Sequence, residues 1–403
     1  MIKTNLQELQ LSKRVLLLQG PIGSFFYDLH LWLSKKGCIT FKLNFNGGDR
    51  YFYPSITHNT YDYTGTLQDF SDFLAEFIMQ NQIDAIVCFG DTRPYHRIAR
   101  EYSRLYPEVT FWAFEEGYFR PDYITLEKNG VNDFSTLPRN AEYFISQSIA
   151  LPEPKPPKKV ALGFIPMAKA AIYYYAATYF SLKEYSNYHH HRLVSPMYYI
   201  KLWVKSGIKR AYFYVKDRLF STKIKKGKLG DFFIVPLQVY DDSQVKYHCD
   251  YNNVEAFLVD VLQSFIHFAP QNTNLLIKHH PMDRGFVNYS KVVEQYKRNS
   301  PEFKQRIFYV HDVPMPVILR KAKGMVTLNS TSGISALLHK IPVITLGRAN
   351  YNFTHLTYQG KLDEFWNNEL LPDEDVFNAY RKFHLYKTHI NGSYYSKVLL
   401  DET

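Results

Sequence analysis

The sequence predicts an α/β fold in two domains, each built on a doubly wound parallel sheet. Three observations lead to this prediction. The chain has 403 residues, which is long for one hydrophobic core and suits two domains of ordinary size. Short apolar runs alternate with helix-like segments over residues 14–121, and a second alternating series begins at residue 232. Such alternation is typical of parallel sheets with helical crossovers.

The first series contains four strand candidates: RVLLLQGP, CITFKLNFNGGD, AIVCFGD and VTFWAFEEG. Two segments with helical periodicity, FFYDLHLWLSKKG and LQDFSDFLAEFIMQN, lie between them. We therefore predict a Rossmann-like N-terminal domain over residues 1–155.

A proline-rich stretch, LPEPKPPKK, ends this pattern at residues 151–159, because proline fixes extended backbone and stops helices. Residues 156–228 are then aromatic, basic and helix-like, and they favour contact with a membrane surface or an acceptor. Within this segment, Tyr173–Tyr175 is expected to serve packing rather than cofactor binding. The histidine run His189–His191 is expected on a solvated face rather than at a metal.

The second series contains five strand candidates: FFIVPLQV, NLLIKHHP, RIFYVHD, GMVTLNSTSG and PVITLG. Helices are predicted through VEAFLVDVLQSFIHFA and SALLHK. This predicts a second Rossmann-like domain over residues 229–350 and a helical tail over residues 351–403. Two such domains facing a central cleft form the arrangement called GT-B.

Composition limits the partners and the compartment. Lys and Arg outnumber Asp and Glu by 48 to 38, a net charge of +10, which favours nucleotides, acidic lipids or nucleic acid as partners. No nucleic-acid-binding module supports the last of these. Cys38, Cys88 and Cys249 lack metal or redox spacing and are predicted to be buried thiols in a reducing cytosol. The polar N-terminus lacks the continuous apolar core of a signal peptide, and no segment is apolar over about 18 residues, so we expect a protein that is neither secreted by that route nor membrane-spanning.

Polar motifs follow six of the predicted strands, namely QGP, NFNGGD, FGD, FEEG, KHHP and NSTSG. In open parallel sheets, ligands bind beyond the carboxyl ends of the strands. We therefore expect these motifs to converge on one cleft.

The FEEG motif supplies the candidate catalytic residues Glu115, Glu116 and Arg120. Two adjacent carboxylates near a low-dielectric strand end repel each other, which raises the pKa of at least one of them. A salt-bridged turn between one acid and Arg120 is the alternative interpretation.

Three other motifs suggest anion binding. KHHP offers a cation and two imidazoles to a phosphodiester, or it is a polar turn. NSTSG offers hydroxyls and amides at a helix start, or it is a simple cap, and NFNGGD is a ligand-approaching turn or a tight loop. The donor-site candidates are Lys278, His279, His280, Pro281, Arg284, Asn329, Ser330, Thr331 and Gly333. The other cleft candidates are Gln19, Gly20, Asn46, Gly47, Asp49 and Asp91. No metal-ligand spacing is present.

In this order, QGP, NFNGGD, EEGYFRPDYITLE with GVN at residues 130–132, KHHPMDRG and NSTSG resemble the capsular polysaccharide β-Kdo transferases of the KpsS/LipB type. The likeness extends over roughly residues 15–347. The ordered set is specific, whereas each motif alone is not. More distantly, GT-B bacterial sialyltransferases share an acid-acid-Gly element, a His-Pro element and a Ser/Thr pair.

The resemblance implies a cytoplasmic enzyme, peripheral on the inner face of the bacterial inner membrane. It transfers β-Kdo from CMP-Kdo to a phosphatidylglycerol-type lipid and starts the poly-Kdo linker of a group 2 capsule. The resemblance also implies that the CMP-sugar is the donor and that no further cofactor is needed, and the sequence does not require a metal. The implied partners are the anionic lipid and other capsule biosynthesis or export proteins.

The resemblance also suggests residue roles. His280 and Pro281 match the element that holds the CMP phosphate, and Ser330 with Thr331 matches the hydroxyl pair on that phosphate. Glu116 matches the second acid, where linker-extending relatives usually have Asp. The resemblance favours Glu116 as the nucleophile of a retaining reaction, whereas the inverting relatives would use it as the general base. Another CMP-sugar transferase, such as a sialyltransferase, and a non-enzymatic export or assembly factor stay open.

Overall fold

The computed structural model describes residues 2–53, 59–188 and 196–402. The chain divides into two compact units. Unit 1 comprises Met1–Leu137, Gln147–Pro196 and Arg381–Thr403, and unit 2 comprises Pro138–Ser146 and Met197–Tyr380. The predicted solvated histidine run, His189–His191, lies outside the described residues.

The regular elements follow in chain order. The strands are β1 (Arg14–Leu17), β2 (Ile39–Asn44), β3 (Thr60–Asp62), β4 (Ala85–Phe89), β5 (Thr110–Glu116), β6 (Tyr123–Lys128), β7 (Phe232–Pro236), β8 (Asn274–Lys278), β9 (Ile307–Val310), β10 (Gly324–Thr327), β11 (Val343–Thr345) and β12 (His389–Asn391). The helices are α1 (Asn5–Leu9), α2 (Phe25–Lys35), α3 (Gly47–Phe52), α4 (Phe70–Asn81), α5 (Pro94–Leu105), α6 (Ala141–Ile149), α7 (Phe164–Phe180), α8 (Pro196–Lys225), α9 (Ser243–Tyr247), α10 (Val254–Phe268), α11 (Ser290–Asn299), α12 (Met315–Leu319), α13 (Ser332–Leu338), α14 (Leu362–Phe365) and α15 (Glu374–Lys387). Short 3₁₀ helices run over Asn132–Phe134, Pro281–Asp283, Pro301–Phe303 and Leu400–Glu402.

Unit 1 contains a seven-stranded sheet in the order β12-β6-β5-β4-β1-β2-β3. The pairs from β5 to β3 are parallel, whereas β6 pairs antiparallel with both β5 and β12. The chain order reverses between β1 and β4, which is the topological switch point of a doubly wound sheet. The crevice expected at such a point lies beyond the carboxyl ends of β1 and β4.

The strands of this sheet are buried on both faces. Val15 and Leu17 pack into one apolar cluster, with α2, while Leu16 and Leu18 pack into the other, with α4. Side chains alternate between faces along a strand, so continuous apolar runs are what a sheet covered on both faces requires. Charged side chains therefore find room mainly where the strands end.

Unit 2 contains a five-stranded parallel sheet in the order β11-β10-β7-β8-β9. Its switch point lies between β7 and β10. The core beneath it is rich in aromatic rings, and Trp366 packs edge-on against both Phe233 and Phe265 at centroid distances of 5.1 and 5.2 Å. The predicted fold class, two Rossmann-like α/β domains of the GT-B type, is confirmed in the architecture of each sheet.

The two units cut across three of the predicted segments, since Pro138–Ser146 of the predicted N-terminal domain 1–155 belongs to unit 2. The basic segment 156–228 divides at residue 196, and the tail 351–403 divides at residue 380. Packing explains these last two divisions. Helix α7 packs on α3 of unit 1, whereas Asp217 of α8 accepts the backbone N–H groups of His311 and Asp312 in unit 2, both at 2.7 Å. The tail was expected to be helical, yet it also supplies β12 to the sheet of unit 1.

The two glycines of NFNGGD serve helix packing. A Cβ on Gly47 would lie 2.1 Å from the Ser181 Oγ, and a Cβ on Gly48 would lie 2.6 Å from the Tyr174 ring. Both contacts are with α7 or the turn after it. The glycines therefore let α3 approach that segment closely, and this is a third role besides the ligand turn and the tight loop considered above.

We predict that Gly48→Ala destabilises the protein by about 1–3 kcal/mol, because the added methyl group overpacks a filled contact. Gly207→Ala is the matched control, since nothing lies within 4 Å of its Cβ position in α8. It should be neutral or stabilising by about 0.5–1 kcal/mol through helix propensity. Urea unfolding of both variants checks this, and equal midpoints would contradict it.

Candidate active site

The candidate residues of unit 1 lie at the carboxyl ends of parallel strands. Gln19 and Gly20 follow β1, Asp91 follows β4, and Glu116 ends β5. Asn46, Gly47 and Asp49 follow β2, at the start of α3. The sheet thus brings QGP and FGD to its switch point, with the other two motifs on the neighbouring strands.

Gln19, Asn46 and Asp49 are joined in a buried polar network with α7. The Gln19 amide donates to both Asp49 carboxylate oxygens at 3.2 and 3.1 Å, and to the Tyr174 hydroxyl at 3.0 Å. Asn46 also donates to the Tyr174 hydroxyl at 2.9 Å, and that hydroxyl donates to Asp49 at 3.1 Å. The Tyr188 hydroxyl lies 3.1 Å from the Gln19 amide nitrogen. These side chains hold α7 against the end of the sheet.

A small pocket borders this network. It is lined by Gly20, Gly48, Asp49, Tyr174 and Lys42, with other residues of the same strand ends. The Lys42 ammonium group is buried and donates to the carbonyls of Leu18 and Leu43 at 3.0 and 2.7 Å. Burial lowers its pKa to about 8, and nearby carboxylates only partly offset that effect.

Asp91 is held at the end of β4 and is almost fully buried. It accepts the Val131 N–H at 2.9 Å and lies 3.6 Å from an Arg100 guanidinium nitrogen. Burial raises its pKa to about 6 despite both contacts. Asp91 therefore fixes the loop that carries the GVN motif.

The acid turn, residues 115–122, begins at the end of β5. Successive side chains of β5 point to opposite faces of the sheet. Glu115 therefore lies on the same face as Ala113, and Glu116 lies on the same face as Phe114. Burial raises the pKa of Glu115 to about 7, and the charge of Glu116 contributes less. One acid was predicted to have a raised pKa by mutual repulsion. The larger cause is desolvation.

The turn itself is tightly constrained. A Cβ on Gly117 would lie 2.1 Å from the Tyr123 carbonyl oxygen, so only glycine fits there. Arg120 is exposed and donates from Nε to the Gly117 carbonyl at 3.2 Å. In the described part of the chain no ion pair joins Arg120 to either acid, although its charge lowers the pKa of Glu115. The salt-bridged turn is thus not the arrangement observed.

In unit 2, Lys278 of KHHP ends β8 opposite Val310 of β9, and His279, His280 and Pro281 follow it. Lys278, His279 and Arg284 are buried, whereas His280 is partly exposed. His280 Nδ1 accepts the Met282 N–H at 3.2 Å and so caps the 3₁₀ helix Pro281–Asp283. Arg284 forms an ion pair with Asp312.

A buried basic cluster therefore forms from Lys278, His279, Arg284 and His311. The rings of His279 and His311 lie 4.5 Å apart, and Phe213 of α8 stacks on His311 at 3.6 Å. Three nitrogens of the cluster, His279 Nε2, His311 Nδ1 and Arg284 Nε, have no hydrogen-bond partner among the described residues. Such groups are suited to hydrogen bonding with an anion.

The imidazoles of the buried basic cluster are neutral at physiological pH. Burial lowers the pKa of His279 to about 4 and that of His311 to about 3. Lys278 keeps its proton at neutral pH, because burial lowers its pKa only to about 8. The positive charge of this site thus comes from Lys278 and Arg284, while the histidines contribute hydrogen bonds.

The NSTSG residues follow β10, across the switch point from β7. Asn329 accepts a hydrogen bond from the Gln238 amide at 3.0 Å and donates to the His248 carbonyl at 3.2 Å. The Ser330 hydroxyl accepts the Ser332 N–H at 3.1 Å. Thr331 is partly exposed at the start of α13 and makes no side-chain capping bond there.

Gly333 has a structural reason to be glycine. A Cβ there would lie 2.3 Å from the Tyr351 hydroxyl oxygen, and that hydroxyl donates to the Ser330 carbonyl at 2.6 Å. Gly333 therefore makes room for the tyrosine that holds the turn, and Ser330 and Thr331 are the members of this motif best placed to meet a ligand.

His311 and Asp217 were missed by the sequence analysis. His311 follows β9 directly in RIFYVHD, so the strand-end rule applied to KHHP would have found it. Asp217 carries no such signal, because it lies inside a long helix. No group of three or more His, Cys, Asp or Glu side chains suited to a metal ion occurs in the described ranges. Within the same ranges, every helix is too short or too polar to cross a membrane.

The family match and the relatives of similar sequence agree with one another. Residues 84–395 match the family described as "Capsule polysaccharide biosynthesis protein". The capsule polysaccharide modification protein LipB of Neisseria meningitidis serogroup A is 50% identical over 400 residues, covering 98% of this chain and 95% of that protein. The capsule polysaccharide export protein KpsS of Escherichia coli is 39% identical over 388 residues, covering 95% and 97%. Among solved structures, the KpsC β-Kdo 2,7 transferase of Thermosulfurimonas dismutans matches with a TM-score of 0.40 and 14% identity, covering 91% of this chain and 98% of that one.

We predict that Glu115→Gln stabilises the protein at pH 8 but not at pH 4.5. The folded state holds the Glu115 proton more tightly than the unfolded state, since its pKa is about 7 against an ordinary 4.5. Stability is therefore lost as the pH rises from about 4.5 to 7. Glutamine avoids this loss, which amounts to roughly 1–3 kcal/mol at pH 8.

Urea unfolding at both pH values measures the effect. Glu108→Gln is the control, because that side chain is exposed. A Glu115→Gln gain that is the same at both pH values would contradict the assigned cause.

Proposed function

The chain belongs to the capsule polysaccharide biosynthesis family, and we propose that it is a glycosyltransferase that transfers β-Kdo from CMP-Kdo to a phosphatidylglycerol-type lipid. The observation that carries the proposal is the placement of the motifs. The acid turn begins at the end of β5 in unit 1. KHHP and NSTSG lie at the carboxyl ends of β8 and β10 in unit 2. The order of these motifs resembles the β-Kdo transferases of the KpsS/LipB type.

The donor chemistry fits the groups available in unit 2. When the bond to the anomeric carbon breaks, negative charge builds on the CMP phosphate. Lys278, His280 and the Ser330-Thr331 pair are the residues we assign to that phosphate, and Arg284 supplies further positive charge. Preorganised donors of this kind stabilise the leaving group without a metal.

In the proposed retaining mechanism, the Glu116 carboxylate attacks the anomeric carbon of the donor. A bond forms between its oxygen and that carbon, and CMP leaves with the electron pair of the broken bond. The lipid hydroxyl oxygen then attacks the same carbon, the Glu116 carboxylate leaves, and the hydroxyl proton passes to a base or to water. In an inverting mechanism Glu116 would instead accept the hydroxyl proton in a single step.

Glu115 has a different part in this proposal. Its pKa of about 7 means that it keeps its proton in a large fraction of molecules at neutral pH. A neutral Glu115 limits the negative charge at the end of β5, beside the proposed nucleophile Glu116. The two acids thus differ in environment, as acids with different roles do.

The exposed face of α8 supports a lipid acceptor at a membrane surface. Phe213, Phe220 and Ile224 face the body of unit 2, whereas the opposite side carries an apolar stripe that is 59–80% exposed. The stripe consists of Val204, Ile208, Tyr212, Val215 and Leu219. Lys205, Lys209, Lys216 and Lys223 run along one side of it. An apolar stripe edged by lysines suits an anionic bilayer.

The direct test of the proposed function is transfer of labelled Kdo from CMP-Kdo to phosphatidylglycerol, followed by mass spectrometry of the lipid. CMP-sialic acid in place of CMP-Kdo tests the alternative donor. A protein that transfers neither sugar would instead support the export or assembly role.

We predict that Glu116→Gln abolishes transfer, by about 10³-fold or more, while CMP still binds. His280→Ala should have the opposite profile, with weaker CMP binding as its primary effect, because a phosphate contact is made before and during the reaction. Calorimetric titration with CMP and initial rates separate the two. Near-normal turnover in Glu116→Gln would rule out the nucleophile and base roles together.

We predict that the double variant Ile208→Glu, Leu219→Glu binds phosphatidylglycerol-containing vesicles about tenfold more weakly, because it places two charges in the stripe. Leu370→Glu, Leu371→Glu is the matched control, since both leucines are at least 70% exposed elsewhere in unit 2. Wild-type binding should fall with added salt. Equal sedimentation of both double variants with the vesicles would contradict the membrane role of α8.

A further inference from the structure

We infer that the segment His389–Tyr394 positions the acid turn, and that His389 is a positioning residue for the reaction proposed above. The inference rests on the proposed function for its catalytic consequence and on hydrogen bonds for its geometry. The segment is 267 or more residues away from the turn in sequence, and it reaches the turn as the edge strand β12 and the residues after it.

His389 binds the middle of the turn through one ring nitrogen. Its Nε2 accepts the backbone N–H of Tyr118 at 3.1 Å and that of Phe119 at 3.4 Å. A nitrogen that accepts two N–H groups carries no proton, so the proton lies on Nδ1. Nδ1 donates to the His384 carbonyl at 3.1 Å. The ring is thus fixed in one tautomer and one orientation.

The environment keeps this ring neutral. His389 is buried among Tyr118, His384 and Tyr123. Burial lowers its pKa to about 3, so Nε2 remains an acceptor throughout the physiological range. Protonation of Nε2 would place a new N–H group against the two backbone N–H groups that Nε2 accepts.

Both ends of the turn are held from the same segment. The Tyr394 hydroxyl donates to the Glu115 carbonyl at 2.9 Å. At the other end, the Asp122 carbonyl accepts the Gly392 N–H at 3.0 Å and the Asn391 side-chain amide at 2.7 Å. Strand β12 is itself held by β6, with His389 opposite Thr125. The segment therefore contacts the beginning, the middle and the end of the turn.

These contacts act on the backbone beside the acids. Glu116 directly precedes Gly117, where an added Cβ would lie 2.1 Å from the Tyr123 carbonyl oxygen, so the two backbone segments are in close contact there. A shift of the Tyr118 and Phe119 amides would be transmitted to Glu116. Misplacement of a reacting group by about 1 Å can cost about 10²-fold in rate.

The test compares three variants for kcat, for KM toward CMP-Kdo and for the exchange rate of the acid-turn amides. His389→Leu removes the acceptor at similar size, and His389→Gln restores an acceptor oxygen. Ile390→Ala is the matched control, because Ile390 lies on the same strand and packs in the core, without a bond to the turn. It weakens the segment and leaves the His389 contacts in place.

We expect His389→Leu to lower kcat by about 10²-fold with KM for CMP-Kdo changed less than about twofold, since the donor residues lie in unit 2. His389→Gln should recover at least tenfold of that loss. Ile390→Ala should lower the thermal midpoint without a comparable loss of kcat. In deuterium exchange, a peptide spanning residues 115–122 should exchange faster in His389→Leu than in wild type.

Two outcomes would overturn the inference: unchanged exchange of the turn in His389→Leu, or a loss of kcat in Ile390→Ala as large as in His389→Leu. If His389→Leu fails to fold, Tyr394→Phe removes the bond to Glu115 and keeps the ring, and an unchanged kcat would then count against the inference. If wild-type protein transfers no Kdo, the proposed function fails, while the exchange measurement still decides whether the segment holds the turn.

Discussion

Buried parallel strands confine charge to the places where the strands end. The strands of both sheets are buried on each face, so charged side chains such as Glu115, Asp91 and Lys278 lie mainly at the carboxyl edge. These side chains are buried from solvent there. Burial shifts the pKa of each group in the direction that favours its uncharged form. Functional groups with shifted pKa values are therefore a direct result of the architecture. Adjacent like charges are a secondary cause.

Packing accounts for several glycines that looked like ligand-binding features. Gly47 and Gly48 admit the helix α7, and Gly333 admits the Tyr351 hydroxyl. A glycine in a loop after a strand is compatible with a phosphate, a tight turn or a close helix, and only the neighbours across space decide among them. The polar network around Asp49 likewise could be understood only from the structure, because two of its members, Tyr174 and Tyr188, come from a distant segment of the chain.

The strong sequence signals were the long apolar runs, and they located β1, β2, β4, β5 and the strands of the second sheet. The strand-end rule then identified the acid turn and KHHP. It was not applied to His311, which ends a strand in the same way. Strand β12 has three residues and no periodicity, so it could not be recognised before its partner β6 was known. His389 and Asp217 act by hydrogen bonding to distant backbone, and a linear pattern does not contain that information. The catalytic and donor-site roles themselves stay predictions.

The discontinuous composition of unit 1 has a consequence for biosynthesis. Its sheet draws strands from residues 14–128 and then again from residues 389–391. During translation, the N-terminal strands leave the ribosome while their last neighbour has not yet been made. Domains tend to fold as they emerge, but here the edge of β6 stays unpaired until residues 389–391 have been synthesised. The nascent chain therefore exposes the open edge of β6 from the synthesis of β6 to that of β12. A chaperone would be most needed during this interval.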